Sequence, residues 1–309
     1  MAELKQKKKM IIVTTCIITV ITLLSTHQTS ASAQEAMAGT SSAIATTAAT
    51  VSANAVSSND TSATAATSDA TAEASATTPI YIGRGYVTDK SLQLRDQPID
   101  KGFNEIETLN IGTIVNIIQE TEGYYQIEID SDGKVGFVDK NCIAIPDKDP
   151  TTYRLISASI IGCEKSSDNR NYNMALACSK INGLVLQPGE QFDWYGANGV
   201  GKANTANGFK PAPVIINKHS VMGVGGGVCQ VCTTLYNVLL NLQVTPDEIH
   251  HHSIGSHYAA PGKDATVTYP GKDFKFTNPY SFPITIEAFT DGGNTVTVLC
   301  YSVNQSTTE

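Results

Sequence analysis

Apolar residues recur every three or four positions at Val228, Val231, Leu235, Val238, Leu239 and Leu242, a spacing that predicts a helix with one face on a core. Just before it stand four glycines in five positions, Gly223 and Gly225 to Gly227, where a bare backbone can approach a ligand. Cys229 therefore falls where a glycine loop meets the first turn of a helix. Unpaired N–H groups and the positive end of the helix dipole lower a thiol's pKa at that place and favour the nucleophilic thiolate. Other stretches alternate with period two. S-L-Q-L-R at 91–95, T-I-V-N-I-I at 113–118, Y-Y-Q-I-E-I at 124–129 and K-V-G-F-V at 134–138 are separated by Gly112, Gly123 and Asp132-Gly133. They predict a small all-β barrel of five or six strands over residues 79–146.

The second globular piece, 150–303, reads as α+β. Asn173 to Ile181 fits a helix ended by Asn182-Gly183. Val185-Leu186 and Phe192 flank a Pro-Gly turn, and Pro213 to Ile216 is a short strand leading into the glycine loop. After the central helix, segments 249–254, 265–269, 273–277, 283–289 and 295–301 alternate like an antiparallel sheet. The expected domain is a nucleophile-bearing helix packed on that sheet.

The N-terminal pattern belongs to neither piece. Lys5, Lys7, Lys8 and Lys9 precede an apolar run from Met10 to Leu24, and Ala31-Ser32-Ala33 offers a small-x-small cleavage site, so residues 1–33 read as an export signal or a membrane anchor. Residues 34–78 are almost wholly Ala, Ser and Thr and cannot bury enough apolar surface to order themselves, as befits a linker. Both readings place the working part outside the cytoplasm. Without residues 1–33, 17 basic residues stand against 28 acidic ones, and the absence of a basic patch argues against nucleic acid as a partner. Seven cysteines, one of them Cys16, are too sparse and irregular for the framework of a small disulfide-rich domain.

Composition thus leaves the chemistry to a few side chains. His250, His251 and His252 are half of all histidines in the chain. In an extended segment His250 and His252 share a face and could serve Cys229 as base and later acid. Asp264 is the expected carboxylate behind such a histidine, with Asp273, at the same place in the repeated P-G-K-D turn, as its rival. Two other chemistries fit Cys229-x-x-Cys232: a zinc site with His250 and His252, or a redox dithiol at a helix start. Both need Cys232 as much as Cys229.

Two resemblances extend this reading. S-L-Q-L-R-D-Q-P, I-G-T-I-V-N-I, E-G-Y-Y-Q-I and G-K-V-G-F-V, in that order, resemble the bacterial SH3-type domain, with Tyr124-Tyr125 where that family usually has Trp-Tyr. The resemblance implies a module that binds wall peptides; a spacer packed on its neighbour is the equal alternative. The run G-V-G-G-G-V-C-Q-V-C-T-T-L-Y-N, then E-I-H-H-H-S, Y-A-A-P-G-K-D-A-T-V and D-F-K-F-T-N, is similar to the VanW domain family, as are Asn169-Arg170-Asn171 and Pro188-Gly189-Glu190 upstream. That family usually has Ser at Cys232, which weighs against a required metal or redox pair. It has His, Pro, His across 250–252, so His250 and His252 match, and Arg where Ile249 stands. The resemblance implies a cell-wall role with members that act as L,D-transpeptidases on peptidoglycan stem peptides, donor and acceptor, without metal or cofactor. Cys229 would be the nucleophile, His252 the base, His250 its alternate and Asp264 the residue behind them. Gly226, Gly227, Gln230, Thr233, Tyr258 and Arg170 would meet the substrate.

Overall fold

The computed structural model describes residues 80–162, 166–216 and 219–304. The expected export segment, 1–33, and the whole of the expected linker, 34–78, lie outside them. The period-two stretches of the first half form one antiparallel sheet of seven strands: β1 (Gly83–Val87), β2 (Leu92–Arg95), β3 (Glu105–Leu109), β4 (Ile114–Thr121), β5 (Tyr124–Ile129), β6 (Val135–Asp139) and β7 (Ile143–Ala144). Its order is β3-β2-β6-β5-β4-β1-β7, and its edges β3 and β7 do not pair, so hydrogen bonds do not close it into a ring. Alternate residues of these strands, among them Leu94, Val115, Ile117, Ile127 and Val138, fill its core.

The second half is built on four antiparallel strands in the order β8 (Tyr153–Gly162), β15 (Thr295–Val303), β14 (Ile284–Thr290) and β9 (Leu184–Leu186). The two faces of β15 show why the layers form. Val296, Val298 and Cys300 enter the core beneath the helices, while Leu299 and Tyr301 point the other way and join Tyr86, Leu155 and Ala158 in a separate cluster. A bulge where the β8–β15 register shifts lets Leu155 and Ala158 share that second face. The first-half sheet is thus docked on one side of the second, and Arg84 fastens the joint by donating to the Leu155 carbonyl at 2.6 Å.

On the opposite face lie helix α1 (Asp168–Ile181) and helix α2 (Val228–Asn241). Helix α1 begins five residues before the expected Asn173, where Ser167 caps it by accepting from the Arg170 amide. Val231, Cys232, Leu235, Val238 and Leu239 of α2 are no more than 2% exposed, as their spacing predicts. Each buried Val or Leu of that stripe contributes about 1.5–3 kcal/mol relative to exposure. Two small hairpin-like pairs complete the unit: β10 (Gln191–Asp193) with β13 (Lys275–Thr277), and β11 (Pro211–Ile216) with β12 (His219–Val224).

The sheet differs from the expectation in two places. Strand β8 is an addition to the expected sheet: L-I-S-A-S-I-I has two large residues, three small ones and two large ones, with no period-two pattern to announce it. Segments 249–254 and 265–269 are not strands of it; they run irregularly side by side above α2, joined by the Thr266 amide donating to the His250 carbonyl at 2.8 Å. Segment 273–277 contributes only β13, which pairs away from the main sheet.

Candidate active site

Cys229 is the second residue of α2, half-buried at the edge of a cavity of about 400 Å³. The loop before it is set by packing. Asn173 of α1, fully buried, donates from Nδ2 to the carbonyls of Lys210 and Gly226 and accepts the Lys210 amide. Gly227, with φ +108°, caps the helix. A Cβ there would lie 2.9 Å from both the Arg170 carbonyl oxygen and Met174 Cγ, and one on Gly226 would lie 2.5 Å from the Pro213 carbonyl oxygen. The packing of the protein against the loop therefore requires glycine at both positions. Gly227→Ala combines a strained φ with a backbone clash and is expected to cost about 3 kcal/mol or more; thermal unfolding of the variant checks this.

Around the sulfur the irregular segments supply partners. Sγ lies 3.5 Å from Thr266 Oγ1, and 3.6 Å from the Val267 carbonyl oxygen, to which the thiol donates. His252, which also lines the cavity, lies close enough to Cys229 for each to shift the other's pKa. The His252 Nδ1 donates to Asp264 Oδ2 at 2.7 Å, and the same oxygen accepts the His252 amide at 2.8 Å. Asp264 is nearly inaccessible, at 6% exposure. Burial pushes the Cys229 pKa up, but His252, through its charge and its polar contact, and the Thr266 hydroxyl outweigh it and hold the thiol below its ordinary 9.0. Burial opposes the His252 cation, yet Cys229 and Asp264 together raise its pKa above 6.5. Burial would raise Asp264 too, and the two His252 N–H bonds bring it below 3.8. All three shifts are toward the charged form of the group.

The other expected residues separate into groups. His250 does not join His252 on one face. Because 249–254 is not a regular strand, its Nε2 lies 3.0 Å from Glu248 Oε1, and it does not line the cavity. His251 instead helps the site from behind, donating from Nδ1 to the Asp264 carbonyl at 2.6 Å. Asp273 stays with Lys275, at 3.2 Å. Cys232 is sealed in the core, where burial pushes its pKa well up, so the four ligands of the zinc alternative do not converge. Among the described residues no group of three or more His, Cys, Asp or Glu is placed to hold a metal ion.

Gly226, Gly227, Gln230, Tyr258 and Arg170 all line the cavity; Thr233 does not. Its hydroxyl donates to the Ala265 carbonyl and accepts the Ala265 amide, each at 3.0 Å, and so positions the segment that carries Thr266. Gln230 is fully buried with both amide ends engaged, by Arg170 at 2.8 Å and by the carbonyls of Ile161 and Asn294. It holds Arg170 rather than offering itself. Tyr258 stands between Arg170, 5.9 Å from its ring centre, and His252, whose ring it meets edge to face. Thr266 was not anticipated; the A-T-V-T alternation at 265–268 was its only signal.

The family model described as VanW like protein matches residues 169–301. These residues are a VanW-like domain. Over 136 residues the chain is 38% identical to the uncharacterized protein YoaR of Bacillus subtilis (strain 168), covering 43% of this chain and 44% of that protein. Over 117 residues it is 28% identical to the Vancomycin B-type resistance protein VanW of Enterococcus faecalis (strain ATCC 700802 / V583), covering 36% of this chain and 42% of that one. The matches span less than half the length of either relative. No solved structure matches at a significant level. Cys229, His252, Asp264, Arg170 and Tyr258 all fall inside the VanW-like domain, and the seven-stranded sheet precedes it.

Proposed function

We propose that this chain is a peptidoglycan L,D-transpeptidase that forms 3-3 cross-links on tetrapeptide stems through a Cys229 acyl-enzyme. A VanW-like domain implies a cell-wall-associated role, in keeping with a relative named for vancomycin resistance. The observation that carries the finer reading is Cys229 and His252 lining one open cavity, with His252 held from behind by its hydrogen bond to Asp264.

In this reading His252 takes the thiol proton and Sγ attacks the carbonyl before the terminal D-alanine. The C–N bond breaks as His252 returns the proton to the leaving amine, so D-alanine departs and a thioester remains. The diaminopimelate amine of a second stem then attacks the thioester, His252 accepts its proton, and the thiol is restored. Amides of the first turn of α2, near Cys229, stabilise the developing oxyanion. The first-half sheet, docked through Tyr86, Leu155 and Tyr301 and contributing nothing to the cavity lining, fits the spacer role better than a peptide subsite. Export places the enzyme at the outer face of the membrane or in the wall. Among the described residues no helix is long and apolar enough to cross a membrane.

Muropeptide analysis after incubating the protein with tetrapeptide-bearing peptidoglycan tests the proposal. Cross-linked dimers support it; trimmed monomers would make the protein an L,D-carboxypeptidase, and unchanged stems a wall-binding module. Thiol alkylation as a function of pH tests the electrostatics separately. The rate rises through an inflection below 9.0, since His252 lowers the Cys229 pKa, and in His252→Ala that inflection moves upward because burial is less opposed. An unmoved inflection would sever His252 from the sulfur.

A further inference from the structure

The cavity lining holds Arg170, Lys202 and His252 but, among the described residues, no Asp or Glu. The two permanent cations stand by opposite ends of the glycine loop. Arg170 packs its backbone against Gly227, and Ala203, next to Lys202, packs against Gly225. Lys202 Nζ sits 3.8 Å over the ring of Tyr269, which Tyr195 supports edge to face at 5.3 Å. Among the described residues no carboxylate lies within ion-pairing distance of it. Beneath this rim Trp194, fully buried, carries an indole N–H with no acceptor, and Arg170 Nε on the other flank is likewise buried and unpartnered. A native cavity with a surplus of donors and no carboxylate in its lining is matched to an acceptor-rich anion.

We propose that Lys202, steered by Tyr269 and backed by Trp194, is a second carboxylate subsite, separate from Arg170 and Tyr258. The donor is then a peptide with two carboxylates, one engaged at each end of the glycine loop while Cys229 faces the carbonyl between them. This rests on the proposed stem-peptide chemistry and names the group that fixes the donor's register. A tetrapeptide stem ending in diaminopimelyl-D-alanine has the required charges; amidation of the diaminopimelate carboxylate removes one.

Trp194 is the only tryptophan of the chain, so its fluorescence reports on this subsite without catalysis. Full-length protein carrying Cys229→Ala is titrated with that tetrapeptide and with its diaminopimelate amide. The acid is expected to bind roughly ten- to a hundredfold tighter, the value of a charge-assisted hydrogen bond. With Lys202→Met added, acid and amide converge, while Arg170→Met weakens both without removing the preference. Equal binding of the two peptides, no binding of either, or a preference that survives Lys202→Met overturns the subsite. Acyl transfer is read independently, as an adduct mass on Cys229 in the otherwise unaltered chain. An adduct whose yield ignores Lys202 and amidation would sink the subsite alone. A Lys202-dependent preference without any adduct would support the subsite and sink the transfer reaction.

Discussion

Cys229→Ala is expected to eliminate the acyl adduct and the cross-linked product of the proposed reaction, while Cys232→Ala is expected to keep both. The first variant removes the only sulfur that, among the described residues, lines the cavity; loss of a nucleophile of this kind lowers turnover by about 10^6-fold in a comparable nucleophile–histidine enzyme. The second deletes a sulfur with no accessible surface, three residues along the same helix and within the buried core. Its cost is a small cavity, about 1–2 kcal/mol of stability, seen as a lower unfolding temperature with the adduct mass retained. The contrast also separates chemistries. A metal site or a redox dithiol consumes both thiols, so equal loss of function from the two variants would return those alternatives to first place. The asymmetry already present in the fold points the other way: His252 and Thr266 pull the Cys229 pKa down, and burial drives that of Cys232 up.

Most of the site was legible from patterns that are local in the chain. The α2 stripe gave its buried face, and the glycine run gave the position of Cys229, because both are consequences of helix period and backbone freedom. Asp264 could be proposed because its Pro-Gly turn puts a carboxylate close to the histidine segment. What was not legible depends on contacts between distant segments. The choice between His250 and His252 turned on whether 249–254 is a strand. It is not, since its backbone bonds to Asp264 and Thr266 instead of to the sheet, and Glu248 takes His250 away. Thr233 and Gln230 sit one helical turn apart on α2 and read as surface donors near the nucleophile, yet the fold spends them on Ala265 and Arg170. The glycine run suggests closeness to a ligand, and the tightest neighbours of these glycines are the protein's own Val214, Ala203, Pro213 and Arg170. Lys202 and Trp194 gave no signal at all, being brought to the cavity by the loop after β10.

Asp264→Asn is expected to lower the rate of Cys229 acylation by about 10^3- to 10^4-fold with little change in fold. One oxygen of Asp264 accepts both the backbone amide and Nδ1–H of His252, at 2.8 and 2.7 Å. An asparagine oxygen can occupy that point, so the loop need not move, but its neutral amide cannot stabilise the imidazolium that forms when His252 takes the thiol proton. The amide can also turn its NH2 toward the ring, which selects the tautomer that presents an N–H to the sulfur. Two further measurements tie the loss to this mechanism. The alkylation inflection of Cys229 shifts upward in Asp264→Asn, because His252 is less readily held as a cation beside the thiolate. Stability in acid changes with the opposite sign. The depressed pKa of Asp264 means that the native chain gains stability from it above the unfolded value and loses that gain as pH falls through the folded one, below 3.8, a loss the asparagine variant does not undergo. His250→Ala is the matched control: its ring rests on Glu248 outside the cavity, and acylation should stay within about threefold of the parent. An Asp264→Asn rate as high as that of the control would mean that His252 is oriented by another group, and a relay ending at Asp264 would have to be abandoned.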